Sequence, residues 1–178
     1  MNLFKTLFLA LAVSIFLVSC GNDYSTSPLT GKFNGTDWTI KSAKATTNPL
    51  DSNVYVIEFY NVVISEPCGV AEQASMISTT CPKQVGVHDF GMLKFRFAYF
   101  NTPNDALMAN DGSVEILSID VAKNEITGRM IAKYDDNNTV NGTFTAQICA
   151  ENGLDNLMDQ MENTLDTLKN TNDSIVSQ

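Results

Sequence analysis

From Leu29 to Cys149 the apolar residues recur at every second position in short segments, and this alternation limits the folds open to the chain. A period of two is typical of β-strands with one buried face, whereas helices repeat every 3.6 residues. Asn, Asp, Gly and Pro bound the segments, as they do in tight turns. About six to eight strands with no helical pattern between them predict an all-β domain over residues 29–150. We expect an antiparallel β-sandwich, with a small β-barrel as the alternative.

Three parts of this region carry clear turn and strand signals. Asn34-Gly35, with an aromatic residue on either side, predicts a hairpin with a type I′ turn, because this dipeptide readily takes two positive φ angles. Residues 54–64 are apolar on both alternating faces, which is typical of a strand buried between two layers or inside a barrel. An antiparallel meander is predicted for the last three segments, 113–121, 125–134 and 139–149.

A further strand is expected near residue 95, because apolar and basic side chains alternate there. The apolar side chains at alternate positions from Leu93 to Tyr99 would share one face, and Lys94 and Arg96 would share the other. A half-buried strand turns its apolar face to the core. We therefore predict the apolar and aromatic side chains in the core and the two basic ones in water.

The N-terminal segment predicts export and lipid attachment. Lys5 precedes an apolar run from Leu7 to Val18, which is the layout of a secretory signal over residues 1–19. This run is shorter than the about 20 residues that a transmembrane helix needs. The sequence Leu17-Val18-Ser19-Cys20-Gly21 resembles a bacterial lipobox, which implies cleavage before Cys20 and lipidation of Cys20. An ordinary signal peptide, with Cys20 near the cleavage site by chance, is the alternative.

The residues after the cleavage site predict where the domain is held. Residues 20–28 are small and polar, and we expect a lipidated, flexible tether. No Asp follows Cys20 directly, which favours an outer-membrane anchor, by resemblance to families in which such an Asp retains lipoproteins at the inner membrane. Both a periplasmic and a surface-exposed orientation fit this segment.

The charge of the chain excludes one class of partner. Lys and Arg number 11 and Asp and Glu 20, so the formal net charge is -9, and it becomes -10 once Lys5 leaves with the signal peptide. An acidic surface repels phosphate backbones and anionic lipid headgroups. We therefore predict no nucleic-acid partner, and a membrane contact made through the N-terminal lipid anchor.

The period of the apolar residues changes after residue 150. Apolar side chains at spacings of three and four line one stripe of a helix, namely Leu154, Met158, Met161, Leu165 and Leu168. This predicts one C-terminal amphipathic helix over residues 151–170 and a flexible tail over 171–178. Packing against the sheet is the favoured role of the helix, and docking to a partner is the alternative.

Cys68, Cys81 and Cys149 remain beside Cys20. An oxidising envelope favours a disulfide over a metal site. We rank Cys68–Cys81 first, because these residues flank a turn-rich stretch whose closure would stabilise the fold by about 3 kcal/mol. Cys149 is the alternative partner for either residue. A zinc site that joins the cysteines to His88 is disfavoured, because no two cysteines have the short ligand spacing of structural zinc sites.

The sequence offers little for catalysis. His88 is the single histidine, and neither a nucleophile motif such as G-x-S-x-G nor a phosphate-binding Gly-rich motif occurs. We expect His88 in a loop and predict no catalytic residue and no cofactor. Acidic turns at 135–138 and 110–112 carry oxygen ligands of the kind that Ca²⁺ accepts, but tight turns require the same residues. We therefore predict no metal site.

Two motifs and the lipobox resemble a known family. The opening Phe33-Asn34-Gly35-Thr36-Asp37-Trp38 and the closing Asn141-Gly142-Thr143-Phe144 are similar to those of small uncharacterised Bacteroidota envelope lipoproteins grouped as DUF6252. The resemblance extends over most of the mature chain and implies an antiparallel β domain on a lipid anchor. It carries over no catalytic residue, because its motifs are strand and turn residues. The Cys68 to Cys81 loop and the C-terminal helix depart from it.

These features together predict a lipid-anchored cell-envelope lipoprotein that acts as a non-catalytic binding or scaffolding module. We expect an envelope protein or a glycan as the partner, contacted by loops such as 66–90 and 101–112. A hydrolase of envelope polymers and a lipid or small-molecule carrier with a barrel cavity are the alternatives. His88 or a carboxylate pair buried in a cleft would favour the hydrolase, and an enclosed apolar cavity would favour the carrier.

Overall fold

The computed structural model describes residues 23–66, 68–69, 75–102 and 105–149. The regular elements of these residues are β-strands and one 3-10 turn, which confirms the all-β prediction. In chain order the strands are β1 (Thr30–Phe33), β2 (Thr36–Thr39), β3 (Ser42–Asn48), β4 (Asp51–Tyr60), β5 (Met76–Pro82), β6 (Gly86–Asp89), β7 (Ala98–Asn101), β8 (Ala106–Ala109), β9 (Asp111–Asp120), β10 (Glu125–Asp135) and β11 (Asn138–Ile148). The predicted signal peptide, Cys20 and the predicted C-terminal helix and tail lie outside the described residues. Within these residues, no helix is long and apolar enough to cross a membrane.

The eleven strands of the described residues belong to one hydrogen-bonded sheet, which curls into half a barrel. The expected β-sandwich of six to eight strands is therefore wrong, because one curled sheet and not two packed sheets encloses the core. Along its main path the order is β6-β9-β10-β11-β3-β4-β5-β7-β8, and the β1–β2 hairpin branches off from β11. Strands β6 and β8 are therefore the two edges of this path. The predicted meander is confirmed as β9, β10 and β11. The strand expected at 54–64 is the interior strand β4, which ends earlier, at Tyr60.

Strand β11 has two partners along one side, and this is where the sheet changes direction. β1 pairs with the first half of β11, where Thr30 lies opposite Asn141. β3 pairs in parallel with the end of β11, where Lys44 lies opposite Gln147. Between these two partners the chain that precedes β1 runs alongside β11, and the Thr143 N–H donates to the Ser27 carbonyl at 2.8 Å.

Large side chains fill the buried face of the sheet. Trp38, Phe59 and Phe100 are among the largest fully buried side chains. The Phe59 ring packs edge-on against Phe144 with centroids 4.9 Å apart, and the Phe33 and Phe100 centroids are 5.8 Å apart. These contacts connect the β1–β2 hairpin and β11 with β4 and β7, so a single core extends around the curl of the sheet.

The predicted hairpin at Asn34-Gly35 is confirmed. Phe33 lies opposite Thr36, and φ is 51° at Asn34 and 75° at Gly35, the two positive angles that a type I′ turn needs. The Asn34 N–H also donates to the Asn138 side-chain oxygen at 2.9 Å. This hydrogen bond joins the first hairpin turn to the turn between β10 and β11.

The strand predicted near residue 95 is wrong. Met92–Lys94 form a 3-10 turn, and Phe95 follows in the left-handed region with φ 48°. Leu93 is 98% exposed and Phe95 86% exposed. The alternation of faces holds only while the backbone is extended, and here both Gly91, with φ 148°, and Phe95 leave that conformation.

Strand β7, which follows this turn, has the opposite register from the predicted one. It begins at Ala98, and the buried side chains are Ala98 and Phe100. Tyr99 lies on the other face, where its ring packs edge-on against Phe97 with centroids 6.2 Å apart. A shift of one residue exchanges the two faces of a strand, so the turn at Phe95 reverses which residues enter the core.

Candidate interaction surface

The disulfide joins Cys68 to Cys149, whose Cα atoms are 5.6 Å apart and whose positions are 81 residues apart in sequence. The pair ranked first, Cys68–Cys81, is therefore wrong, and the alternative partner Cys149 is the one bonded. Cys81 lies on the buried face of β5, so strand alternation turns it into the core and away from the loop that carries Cys68. Cys149 follows β11 beside β3, where its N–H donates to the Ala45 carbonyl at 2.8 Å.

A buried polar cluster lies beneath the same loop. The Lys44 ammonium is 3.1 Å from the Glu58 carboxylate and donates to the Gly69 carbonyl at 3.2 Å. The Tyr60 hydroxyl donates to Glu58 at 2.9 Å. Burial and the Glu58 charge raise the pKa of Tyr60, so its phenol stays protonated. Because the charges of Lys44 and Glu58 are paired with each other, we interpret the cluster as an attachment of the loop to the sheet.

Cys81 is a free thiol in the core. Burial raises its pKa to about 12, and the charge of Arg96 offsets only a part of this effect. The thiolate is the nucleophilic form of cysteine. At neutral pH the Cys81 side chain is therefore protonated and unreactive.

His88 lies within β6 and not in the loop that we predicted for it. Its side chain is on the buried face, and Nε2 is 2.9 Å from the Gln84 carbonyl oxygen. The neighbouring Asp89 carboxylate accepts a hydrogen bond from Lys94 at 2.6 Å instead. Within the described ranges, His88 has neither a carboxylate nor a nucleophile as a hydrogen-bond partner, so the arrangement of a catalytic triad does not form around it.

The acidic turn considered for Ca²⁺ uses its oxygen atoms for the turn itself. The Asp135 carboxylate accepts hydrogen bonds from the Asn137 N–H at 2.9 Å and from the Asn138 side-chain amide at 3.0 Å. Asp136 accepts from Lys133 at 2.7 Å, and this hydrogen bond lowers the pKa of Asp136. In the part of the chain that the structure describes, no group of three or more His, Cys, Asp or Glu side chains is placed to hold a metal ion.

A shallow groove of about 400 Å³ follows the place where β11 passes from β1 to β3. The side chains of Thr127, Thr143 and Thr145 line it together with Lys41 and Leu117. The groove is open to solvent, and Pro28, Ile40 and Phe144 add apolar surface to it. It lacks the enclosure that a carrier of apolar molecules requires.

The most unusual surface is the turn between β6 and β7, which we name the apolar loop (Gly91–Arg96). The Gly91 N–H donates to the Arg96 carbonyl at 2.9 Å and closes the loop at its base. Within it Met92, Leu93 and Phe95 are all exposed. Contiguous apolar side chains in solvent are typical of interaction sites. A short turn closed by its own hydrogen bonds therefore presents three large apolar groups.

Basic groups and a further apolar side chain surround this loop. Lys94 pairs with Asp89, and the Arg96 guanidinium donates to the Asp89 carbonyl at 3.3 Å. Phe95 lines a depression of about 290 Å³ together with Asn48 and Asp51. These two residues flank the turn at Leu50, whose side chain is also exposed. The loop is thus part of a surface that combines apolar tips with cations at its sides.

The N-terminal end of the described chain lies beside the apolar loop. The Tyr24 hydroxyl and the Ser113 side chain share a hydrogen bond of 2.6 Å. Ser113 lies opposite Asp89 in the pairing of β9 with β6. The Asp89 carboxylate in turn accepts a hydrogen bond from Lys94 of the apolar loop. Tyr24, which belongs to the segment predicted as the tether, therefore reaches the strand beside the base of the apolar loop.

Most of the described residues in the loops that we predicted as contact sites belong to strands. The range 66–90 contains β5 and β6, and the range 101–112 contains β8 and the beginning of β9. The apolar loop lies between these ranges, and we missed it because the alternation at 93–99 resembled a strand. Gly91 followed by two adjacent apolar residues, Met92 and Leu93, was the signal that interrupts a strand there.

Comparison with known proteins adds no relative to this description. No family model matches the chain, and the searches of curated proteins and of solved structures returned no significant match. A function for this protein is therefore inferred from its own residues.

Proposed function

We propose that this chain is a lipid-anchored cell-envelope protein that acts by binding or scaffolding, without catalysis, and that the apolar loop is its contact surface. The observation that carries this proposal is the exposure of Met92, Leu93 and Phe95 on one short closed turn. Burial of one such side chain in a contact is worth about 1.5–3 kcal/mol. Three of them next to each other give the loop enough apolar surface for a stable contact.

The anchor in this proposal is supported by the sequence. The lipobox predicts lipidation of Cys20, and the resemblance to the DUF6252 lipoproteins supports the same assignment. We place the protein on the outer membrane, because no Asp follows Cys20. At the level of the fold, we interpret the curled sheet as a small, incompletely closed barrel, with the amphipathic helix of residues 151–170 packed on it.

The two alternative functions have less support. A hydrolase would need carboxyl groups with shifted pKa values close together in a cleft. The described carboxyl groups whose pKa is lowered, Asp120 and Asp136, are instead exposed, and each is paired with a lysine. For a carrier, an empty apolar interior is needed, and the interior of the curl is occupied by side chains such as Trp38 and Phe100. We therefore propose binding as the function.

Intact-mass analysis of the protein from native envelopes tests the anchor. We expect a chain that begins at Cys20 and carries the added mass of acyl chains. An unmodified Cys20 or a retained leader would contradict the lipoprotein assignment.

Photocrosslinking in cells tests the contact surface. A photoreactive residue at position 93 should form crosslinks to an envelope component. The matched control is position 121, because Val121 is also an exposed apolar residue and lies at the opposite end of β9. Crosslinking at position 93 no stronger than at position 121 would remove the apolar loop from the proposal.

A further inference from the structure

We propose that the apolar loop inserts Met92, Leu93 and Phe95 into the interface of the same bilayer that holds the lipid anchor. This inference rests on the proposed function and names the occupant of its contact surface. It also revises our expectation that the lipid alone makes the membrane contact. Three observations support it: the composition of the loop, its position relative to the anchor, and the charge around it.

The composition of the loop fits a membrane interface. The two most exposed apolar side chains, Leu93 and Phe95, alternate with Lys94 and Arg96. Long basic side chains can keep their charges at the headgroups while their neighbours enter the acyl region. The Lys94–Asp89 pair is half-exposed on both sides, and such pairs are weak. Lys94 can therefore leave Asp89 for a phosphate at little cost.

The position of the loop relative to the anchor also fits. Asp23 lies three residues after Cys20, and three extended residues span at most about 11 Å. The Asp23 carbonyl accepts a hydrogen bond from the Asn141 side chain, and Tyr24 reaches Ser113, which lies opposite Asp89. A bilayer that holds acyl chains on Cys20 is therefore close to the base of the apolar loop.

The direction of the N-terminal segment supports the same placement. From Asp23 to Ser27 the chain follows β11 from Asn141 to Thr143, away from the turn between β10 and β11. From Ser27 back to Asp23, this segment therefore runs towards the end of the sheet at which β9 begins. The apolar loop lies at that end, because the Phe90 N–H donates to the Gly112 carbonyl.

Charge around the loop predicts the kind of bilayer contact. Lys94 and Arg96 are balanced by Asp89 and by Asp51, which lines the same depression as Phe95. Because the whole chain has a net charge of -9, electrostatic attraction to anionic lipids cannot supply the contact. Insertion of apolar side chains does not depend on headgroup charge, so we expect binding to zwitterionic lipids with little dependence on salt.

Membrane insertion of the loop gives the anchor a second contact. Stable membrane attachment commonly combines two signals, and the second one here would also fix orientation. A domain held only by a flexible tether can rotate freely, whereas a domain held at the tether and at the apolar loop presents a constant face. The groove near Thr143 would then have a fixed position relative to the bilayer.

Depth-dependent quenching tests this inference on the mature chain. A recombinant chain that begins at Cys20 is coupled through that thiol to a maleimide phospholipid in phosphatidylcholine vesicles. Coupling is directed to Cys20, because Cys68 and Cys149 are bonded to each other and Cys81 is buried. The reporter is Phe95→Trp, and Val121→Trp is the matched control. The native Trp38 is 2% exposed and contributes the same background to both.

We expect brominated acyl chains to quench Trp fluorescence in the Phe95→Trp chain and to leave the Val121→Trp chain unchanged. Addition of Leu93→Ser to the reporter should reduce the quenched fraction severalfold, and 0.5 M salt should not. Equal quenching of the two reporters would overturn the inference. Crosslinks in cells from position 93 to a protein and not to lipid would also overturn the inference. Such crosslinks would still support the proposed function. In this experiment Cys20 is attached to lipid chemically, so the result does not depend on acylation of Cys20 in cells. Intact-mass analysis tests that acylation separately.

Discussion

Phe95 adopts a costly backbone conformation, although its N–H donates to the Met92 carbonyl at 3.3 Å. Its φ of 48° lies in the left-handed region, which costs an L-residue about 1–2 kcal/mol. Its ring is exposed, so burial returns little of this cost. Strained residues of this kind are often found at functional sites. This combination supports a contact of Phe95 outside its own chain.

Phe95→Gly should therefore raise the free energy of unfolding by about 0.5–1 kcal/mol, because glycine adopts positive φ freely but adds entropy to the unfolded chain. Urea denaturation measures the change. Leu93→Gly is the control, since Leu93 is not among the residues with positive φ, and this change should lower stability. A Phe95→Gly protein that is less stable than the parent would show that the left-handed backbone stores no strain.

At Cys81 we expect a thiol that reacts only after unfolding. The pKa is raised by burial to about 12 from an ordinary 9.0, so the folded state holds the proton more tightly. The resulting stabilisation is complete below pH about 9 and is lost as the pH rises towards 12. Iodoacetamide at pH 8.5, used on a Cys20→Ser chain with its disulfide intact, should label Cys81 slowly in buffer and rapidly in urea. Rapid labelling in buffer would contradict the burial of this side chain.

At the scale of elements, the loop after β4 is held to the sheet twice, by the Cys68–Cys149 disulfide and by the hydrogen bond from Lys44 to Gly69. The two attachments are adjacent, because Cys149 bonds the backbone of Ala45, the neighbour of Lys44. The disulfide also joins the last described strand to the loop after β4. It therefore connects elements that are distant in sequence.

Tryptic mapping without reduction distinguishes the two candidate disulfides. Cys68 and Cys81 share the peptide 45–83, and Cys149 lies in the peptide 134–169. We expect these two peptides to be crosslinked, and the crosslink should persist in a Cys81→Ser chain. The chain-entropy model predicts that Cys149→Ser lowers the free energy of unfolding by about 4.5 kcal/mol for a closed loop of this length. An internal bond within peptide 45–83 would refute the pairing in the structure.

Lys44→Met should lower the free energy of unfolding by about 3 kcal/mol, because the largely buried Glu58 loses its cation. Glu58→Gln added to this variant should recover a part of the loss. Lys94→Met is the matched control, since its ion pair with Asp89 is exposed and contributes about 0–1 kcal/mol. Urea denaturation of all four proteins measures these differences. Equal losses for Lys44→Met and Lys94→Met would show that the buried pair has no special role.

At the scale of the whole molecule, the strands β9, β10 and β11 approach each other closely around Gly128. The pairing of β10 with β9 shifts register between Thr127 and Gly128. A Cβ atom on Gly128 would lie 2.5 Å from the Glu115 carbonyl oxygen and 2.6 Å from the Phe144 ring. Only glycine allows this approach, so we expect the local packing of β9, β10 and β11 to depend on Gly128.

Gly128→Ala should therefore destabilise the protein by about 1–3 kcal/mol through displaced backbone and core contacts. Thermal unfolding followed by circular dichroism measures the loss. Thr145→Ala in the neighbouring strand β11 is the control, because Thr145 is exposed, and it should change stability by less than about 0.5 kcal/mol. Parental stability of Gly128→Ala would mean that the sheet curls without this close approach.

The sequence predicted the local elements well where one signal acted alone. Alternation and turn residues identified the β9–β11 meander, and Asn34-Gly35 identified the first hairpin. Near Phe95 two signals competed, because Gly91 interrupts the backbone while the alternation after it continues to resemble a strand. Residue order alone does not show that φ becomes positive at Phe95, so the apolar loop and the register of β7 were missed.

The amino-acid sequence by itself determined the β class, the meander and the first turn, because backbone propensity and alternation act over a few neighbouring residues. It also carries the segment Leu17 to Gly21 that resembles a lipobox, and this resemblance is recognised from consecutive positions. Only the tertiary structure decided that Cys149 bonds Cys68, that Cys81 enters the core and that Leu93 and Phe95 remain in water. These outcomes depend on which strands become neighbours in the curled sheet, and that pairing joins residues that are more than a hundred positions apart, such as Thr30 and Asn141.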